Sequence, residues 1–211
     1  PIVSAYQKKN VSFLITAAQK KLVEQSMAIF KAAGLTLESL ETEAFALVRS
    51  LIGNDKSTVM IVDIGAKNTD LSIIDRGIPV LNRSMDFGGI GFTDSVVGVT
   101  KLPSALAEQL KRDVGRMRTT TLPKSLEPVF SPLVNEVQYT MGLYQSRSGG
   151  RIEKIILTGG SGLLFNLATV LTSRFNMTVV VGDPWARVAT PVDLAPALQE
   201  IGPRMSVAVG L

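Results

Sequence analysis

Two apolar runs joined by a short polar break, Val59-Met-Ile-Val-Asp63-Ile-Gly65-Ala66-Lys67-Asn68-Thr69-Asp70-Leu-Ser-Ile-Ile74, constrain this chain more than any other stretch. They read as paired strands with an Asp-x-Gly turn and a polar loop between them. A tip carrying Gly65, Ala66, Lys67, Asn68 and Thr69 offers backbone N–H groups, a cation and a hydroxyl to an anion. Asp63 stands where a carboxylate reaches a phosphate-bound Mg²⁺ through water. The same pattern suits an ordinary turn, since Gly supplies positive φ and Asp caps its own turn. Both readings stand at this point.

Composition narrows the chemistry around that hairpin. The 211 residues are 45% hydrophobic and 19% charged, enough apolar material for one domain or two small lobes. The lack of cysteine excludes disulfides, thiolate metal sites and a cysteine nucleophile, and the lack of histidine removes the commonest general base and metal ligand. Serine–histidine–aspartate, cysteine–histidine and most zinc chemistries are therefore out. The formal charge is +4, with basic residues scattered except over Lys101–Arg118, which suits a solvated helix face and does not imply nucleic acid. Nothing resembles a signal peptide and Pro1 is not an initiator methionine, so a processed chain or a fragment is expected. The uncharged run Ile155–Ser173 approaches a membrane span in length, but Gly159-Gly160-Ser161-Gly162 and Asn166 interrupt it. A buried strand, a glycine turn and a packed helix account for it better.

The rest of the chain has an α/β rhythm. Val11–Ala18 reads as a strand, Gln19–Ala33 as a helix with Gly34 at its C-cap, Leu35–Glu41 as a strand, and Glu43–Ile52 as a helix ending at Gly53-Asn54-Asp55. That polar break is the expected boundary between an N-terminal piece, residues 1–53, and a main domain, residues 54–211. In the main domain strands are expected over Val59–Asp63, Asp70–Ile74, Ile78–Asp86, Lys154–Leu157 and Thr178–Val181. Helices are expected after Gly88-Gly89, over Leu102–Gly115, Pro128–Arg147 and Leu163–Phe175, and from Pro203 onward, with a helical subdomain at about 95–150.

Two further motifs follow the hairpin. Glu108 and Lys111 lie three apart on one helix face and suit the hydroxyls and edge of a nucleoside, although such pairs are common surface ion pairs. Leu157-Thr-Gly159-Gly160-Ser161-Gly162 is a strand-to-helix turn whose missing side chains let a flat base lie against backbone, or simply allow tight packing.

In this order the motifs resemble the actin-like (ribonuclease H-like) ATPase superfamily, and within it the PilM family of type IV pilus assembly proteins. The matching residues are Glu41-Thr-Glu43-Ala-Phe-Ala-Leu47, Asp63 to Thr69, Gly88-Gly89 with Thr93, Glu108 to Lys111, Tyr144-Gln-Ser-Arg-Ser148, Leu157 to Gly160 with Leu163-Leu164, Val181-Gly-Asp183-Pro184 and Val209-Gly-Leu211. The resemblance implies an α/β fold: an actin-like lobe with a mixed sheet and a helical subdomain, preceded by a small β-α-β piece and connecting helix of the first lobe. It implies ATP as cofactor with Mg²⁺ near Asp63, Gly65 to Thr69 at the β- and γ-phosphates, and Gly88 and Gly89 beside the phosphates or supporting that loop. Glu108 and Lys111 would then meet the ribose or adenine, and Gly159, Gly160 and Ser161 would line the adenosine pocket.

The same resemblance implies a cytoplasmic scaffold of pilus assembly, serving twitching motility and peripheral to the inner membrane. It would dock the N-terminal peptide of a PilN-like inner-membrane protein, meet other assembly components, and reach the membrane only through that partner, with self-association also open and no nucleic acid. At most a weak ATPase is implied. The peptide groove would lie in the first lobe, where the apolar faces of Val11–Ile15 and Leu22–Phe30 line it or serve as ordinary core. The alternatives are a fragment of a sugar or metabolite kinase and an FtsA-like division protein of the same superfamily. The family's upstream Asp-Gly hairpin has no match before Asn54, so an incomplete first lobe, and a fragment with little nucleotide affinity alone, are expected.

Overall fold

The computed structural model describes residues 15–116 and 124–211. The chain divides into two compact units, Pro1–Glu41 and Thr42–Leu211. In the first, α1 (Lys20–Ala32) runs where apolar periodicity places it, and Gly34 at φ 69° turns the chain out of the helix. No residue of α1 is buried, and Leu22, Met27 and Ile29 are each more than half exposed. The two flanking strands expected from the sequence do not form among the described residues. Ile15–Ala18 and Leu35–Glu41 have no regular structure, and Val11–Leu14 lies outside the described residues. A β-branched or apolar run becomes a strand only when a neighbour accepts its ladder, and none is paired there.

The second unit is built on a five-stranded mixed sheet in the order β3-β2-β1-β4-β5. Strands β1 (Val59–Ile64), β2 (Thr69–Asp75) and β3 (Ile78–Met85) form an antiparallel meander, and β4 (Lys154–Thr158) and β5 (Thr178–Val181) continue it in parallel with β1. Parallel pairing requires crossover connections. These are supplied by α3 (Gly89–Thr100), α4 (Ser104–Arg116) and α5 (Ser131–Ser148) between β3 and β4, and by α6 (Leu167–Phe175) between β4 and β5.

Alternation along β1 divides the core into two layers. Met60, Val62 and Ile64 face one side with Phe92 and Val96 of α3, Leu133 and Val137 of α5, and Leu167 and Leu171 of α6. Val59 and Ile61 face the other, with Leu47, Ile52, Ile74 and Ile156. That second layer is closed by α2 (Glu43–Leu47), which widens into a π turn over Val48–Ile52, and by Val207 of α7 (Ala195–Gly210). Segment 43–52 is thus core to the second unit, and the break in packing falls at Glu41/Thr42, upstream of the polar break at Gly53-Asn54-Asp55.

The last helix begins at Ala195 and not at Pro203, which lies inside it. Proline marks helix starts because it lacks an N–H. Here the first-turn proline is Pro196, and Pro203 turns its carbonyl to β4, accepting from the Thr158 hydroxyl at 3.0 Å and the Gly159 amide at 2.9 Å. Among the described residues no helix is long and apolar enough to cross a membrane, and Ile155–Ser173 divides into β4, a turn and α6.

Candidate functional site

Three segments meet at the C-terminal end of β1. The tip Gly65–Asn68 closes with the Gly65 amide donating to Asn68 O at 2.9 Å. Gly65 is not among the glycines of positive φ; what it lacks is room, since a Cβ would lie 3.1 Å from Asn68 O. The first amides of α3 donate into this tip, Gly89 N to Gly65 O at 2.9 Å and Ile90 N to Ala66 O at 2.8 Å. Gly88 and Gly89 therefore support the hairpin, and a Cβ on Gly88 would fall 2.7 Å from Gly65 O. On the other flank the Ser161 amide donates to Ile64 O at 3.0 Å.

Thr69, expected at the anion, is fully buried and donates its hydroxyl to Phe87 O at 2.6 Å, tying β2 to the loop that enters α3. Ala66, Lys67 and Asn68 remain exposed at the tip, and their amides donate to no backbone carbonyl among the described residues. Three amides without a backbone acceptor and one ammonium make this tip attractive to an anion.

Asp63 points to the opposite side of β1 from Val62 and Ile64, toward α2. Burial raises its pKa first, and the carboxylates of Glu43 and Asp70 add to that, bringing it to about 6. Gly159 makes room for it: at φ 83°, a side chain there would run into the Asp63 carboxylate and Ile64 O. Among the described residues no cluster of three or more acidic side chains forms a metal cage. One partly buried carboxylate beside an anion cradle suits Mg²⁺, which keeps most of its waters and binds chiefly to substrate phosphates.

Beyond the glycine turn opens a cleft of about 470 Å³, lined among others by Glu108, Lys111, Gly159, Gly160, Ser161 and Arg204. The fold thus brings together the five cleft residues expected from sequence. Glu108 accepts from Thr93 Oγ1 at 2.6 Å, Lys111 Nζ at 2.6 Å and Arg112 Nε at 2.9 Å. Burial opposes its ionisation, but these donors prevail and hold its pKa down to about 2. Lys111 is buried, with its ammonium also donating to Gly89 O and Thr93 Oγ1, each at 2.8 Å.

Glu43 beside Asp63 and Arg204 over Gly160 were not singled out as site residues from sequence. Glu43 lies in a motif that assigns it no role, and Arg204 lines the cleft next to Pro203, whose carbonyl docks on the glycine turn. That contact has no local sequence pattern.

Comparison with known proteins gives the same architecture. A solved PilM–PilN type IV pilus biogenesis complex superposes with a TM-score of 0.75 at 27% identity, over 92% of this chain and 57% of that one. MreB 5 of Spiroplasma citri, solved bound to AMPPNP, shares the fold with a TM-score of 0.64 at 19% identity, over 92% of this chain and 64% of its own. The cell division protein FtsA of Borreliella burgdorferi is 25% identical over 182 residues, 72% of this chain and 41% of that protein. The chain therefore spans between two fifths and two thirds of these relatives' lengths. The sequence family described as type IV pilus assembly protein PilM matches residues 2–211, and the chain belongs to that family within the actin-like superfamily.

Proposed function

We propose that the chain forms one wall of a Mg-ATP cleft in a cytoplasmic scaffold of type IV pilus assembly. The phosphates lie at the Ala66–Asn68 amides and Lys67, Mg²⁺ lies near Asp63 through water, and the nucleoside lies between Glu108 and the Gly159–Ser161 turn. The observation that carries this reading is the direct hydrogen bonding of the hairpin to both glycine segments, Gly89 N to Gly65 O and Ser161 N to Ile64 O, beside the cleft. A hairpin tip of exposed amides thus stands next to a polar cleft of nucleoside size, which supports an anion at the one and a nucleoside in the other. When bound, Mg²⁺ neutralises phosphate charge; the chain's own residues bind and orient.

The partner in this reading is the N-terminal cytoplasmic peptide of a PilN-like inner-membrane protein, which would hold the scaffold at the membrane's inner face. It is supported by the PilM–PilN structural match and by an apolar groove of about 580 Å³ within the first unit, lined by Val23, Met27, Phe30, Leu35, Leu37 and Leu40. Titration of the full-length protein with a fluorescent ATP analogue, with Mg²⁺ and with EDTA, tests the nucleotide half. Saturable, Mg²⁺-dependent binding weakened about tenfold by Asp63→Ala is expected, a change of about 1.4 kcal/mol. Absence of binding with Mg²⁺ would overturn it. Fluorescence anisotropy with the labelled PilN-like peptide tests the docking half, which fails if Met27→Asp leaves the affinity unchanged.

A further inference from the structure

We propose that Lys111 is a positioning residue that aims the phosphate-side hairpin from the nucleoside end of the cleft, and not a ligand contact; this rests on the nucleotide reading above. An ammonium has three protons. All three are placed within the protein, on Gly89 O, Thr93 Oγ1 and Glu108 Oε2. A nucleoside hydroxyl could take one only by displacing one of these three acceptors from the ammonium. The side chain is itself buried, so the cation is committed to its surroundings before any ligand arrives.

What it holds matters more than what it faces. The carbonyl of Gly89 accepts from Lys111, while the amide of the same residue donates to Gly65 O at 2.9 Å and the next amide, Ile90, donates to Ala66 O at 2.8 Å. Fixing the Gly89 carbonyl fixes the rotation of this first turn of α3, and with it the aim of the two donors that set the hairpin's carbonyls. The hairpin's outward amides at Ala66 and Lys67 are the other edge of those same two peptide units, and Asn68 follows them in the tip. No side chain cushions the linkage: a Cβ on Gly88 would meet Gly65 O at 2.7 Å, and one on Gly89 would meet Ser161 Oγ at 2.6 Å. Glu108 completes the path, because it lines the cleft and shares Lys111 and Thr93 with the same turn. A ligand that touches Glu108 therefore acts on the phosphate hairpin through Lys111 and Gly89.

Amide hydrogen exchange on the ligand-free chain reads this linkage without any nucleotide. Lys111→Met should speed exchange at Gly89 and Ile90 at least tenfold and leave Ile61 and Ile156 in the sheet unchanged, while Lys111→Gln, which keeps one donor for Gly89 O, should restore part of the protection. Unchanged exchange at Gly89 and Ile90 in folded Lys111→Met would overturn the proposal, as would loss of protection across the whole sheet in both variants. Calorimetry on the full-length protein then separates the ligand roles. Lys111→Met should weaken Mg-ATP and Mg-tripolyphosphate about tenfold and adenosine less than twofold. A loss on adenosine as large as that on tripolyphosphate would make Lys111 a nucleoside contact instead. Failure of the unsubstituted protein to bind Mg-ATP counts against the nucleotide reading alone, because the exchange result still decides the linkage.

Discussion

Gly159 is the residue at which the site tolerates least. Its φ of 83° is costly for any side chain, and a Cβ would stand 2.5 Å from Ile64 O as well as against the Asp63 carboxylate. Backbone strain and overpacking together predict that Gly159→Ala destabilises the protein by about 2–4 kcal/mol. Gly142, inside α5 with nothing within 4 Å of a built Cβ, is the control. There alanine should stabilise by about 0.5–1 kcal/mol, and urea unfolding of the two variants should move in opposite directions. Asp63 carries a pH signature of definite sign. Its pKa is raised from 3.8 to about 6 on folding, by burial first, so the native state holds the proton more tightly than the unfolded chain. Its contribution is therefore fully present below about pH 4 and is lost as pH rises to about 6, an effect of at most about 3 kcal/mol. Asp63→Asn should abolish that loss and leave the variant more stable than the unsubstituted protein at pH 7 but not at pH 4, by thermal unfolding across the range. Glu108 has the opposite sign: its lowered pKa stabilises above the ordinary carboxylate range and is lost on acidification.

Among elements, the junction of β4 with α7 does what neither segment's own pattern announces. Thr158, fully buried at the end of β4, donates to Pro203 O at 3.0 Å and lies 2.7 Å from the Ser206 hydroxyl, so Thr158→Val removes both buried hydrogen bonds without changing shape. A cost of about 1–3 kcal/mol in chemical denaturation is expected, with looser packing at Gly159, whose amide uses the same carbonyl. The physical reason such contacts escape a reading of sequence is range: Thr158 and Pro203 are far apart in the chain, and Pro203 taken alone signals a helix start. The hairpin was legible because alternation along β1 and β2 and the polar tip are local. Its donors were less so. Thr69 carries the right hydroxyl in the right loop, yet burial turns it to Phe87 O, and the amides that follow Gly88, those of Gly89 and Ile90, are taken by Gly65 O and Ala66 O. The pair Glu108 and Lys111 was visible as a spacing on one helix face, while the third member, Thr93, joins it only through the packing of α3 on α4.

At the scale of the whole molecule, the two core layers decide where the second unit begins. Punctuation in the sequence placed a boundary at Gly53-Asn54-Asp55, but Leu47 and Ile52 lie under the sheet with Val59, Ile61, Ile74 and Ile156. Sequence periodicity shows that Glu43–Ile52 has an apolar face and cannot show which unit that face covers. A chain begun at residue 54 would lose both side chains and bare one face of β1. At about 1.5–3 kcal/mol for each fully buried aliphatic side chain, that is about 3–6 kcal/mol, comparable with the whole stability of a small domain, about 5–15 kcal/mol. A chain begun at Thr42 keeps both. Expressed side by side, residues 42–211 should unfold cooperatively, whereas residues 54–211 should bind hydrophobic dye and unfold at markedly lower denaturant. Limited proteolysis should likewise cut within Leu35–Glu41, which has no regular structure, and spare the segment after Thr42. Equal stability of the two truncated chains would mean that α2 and its π turn cover the sheet without supporting it.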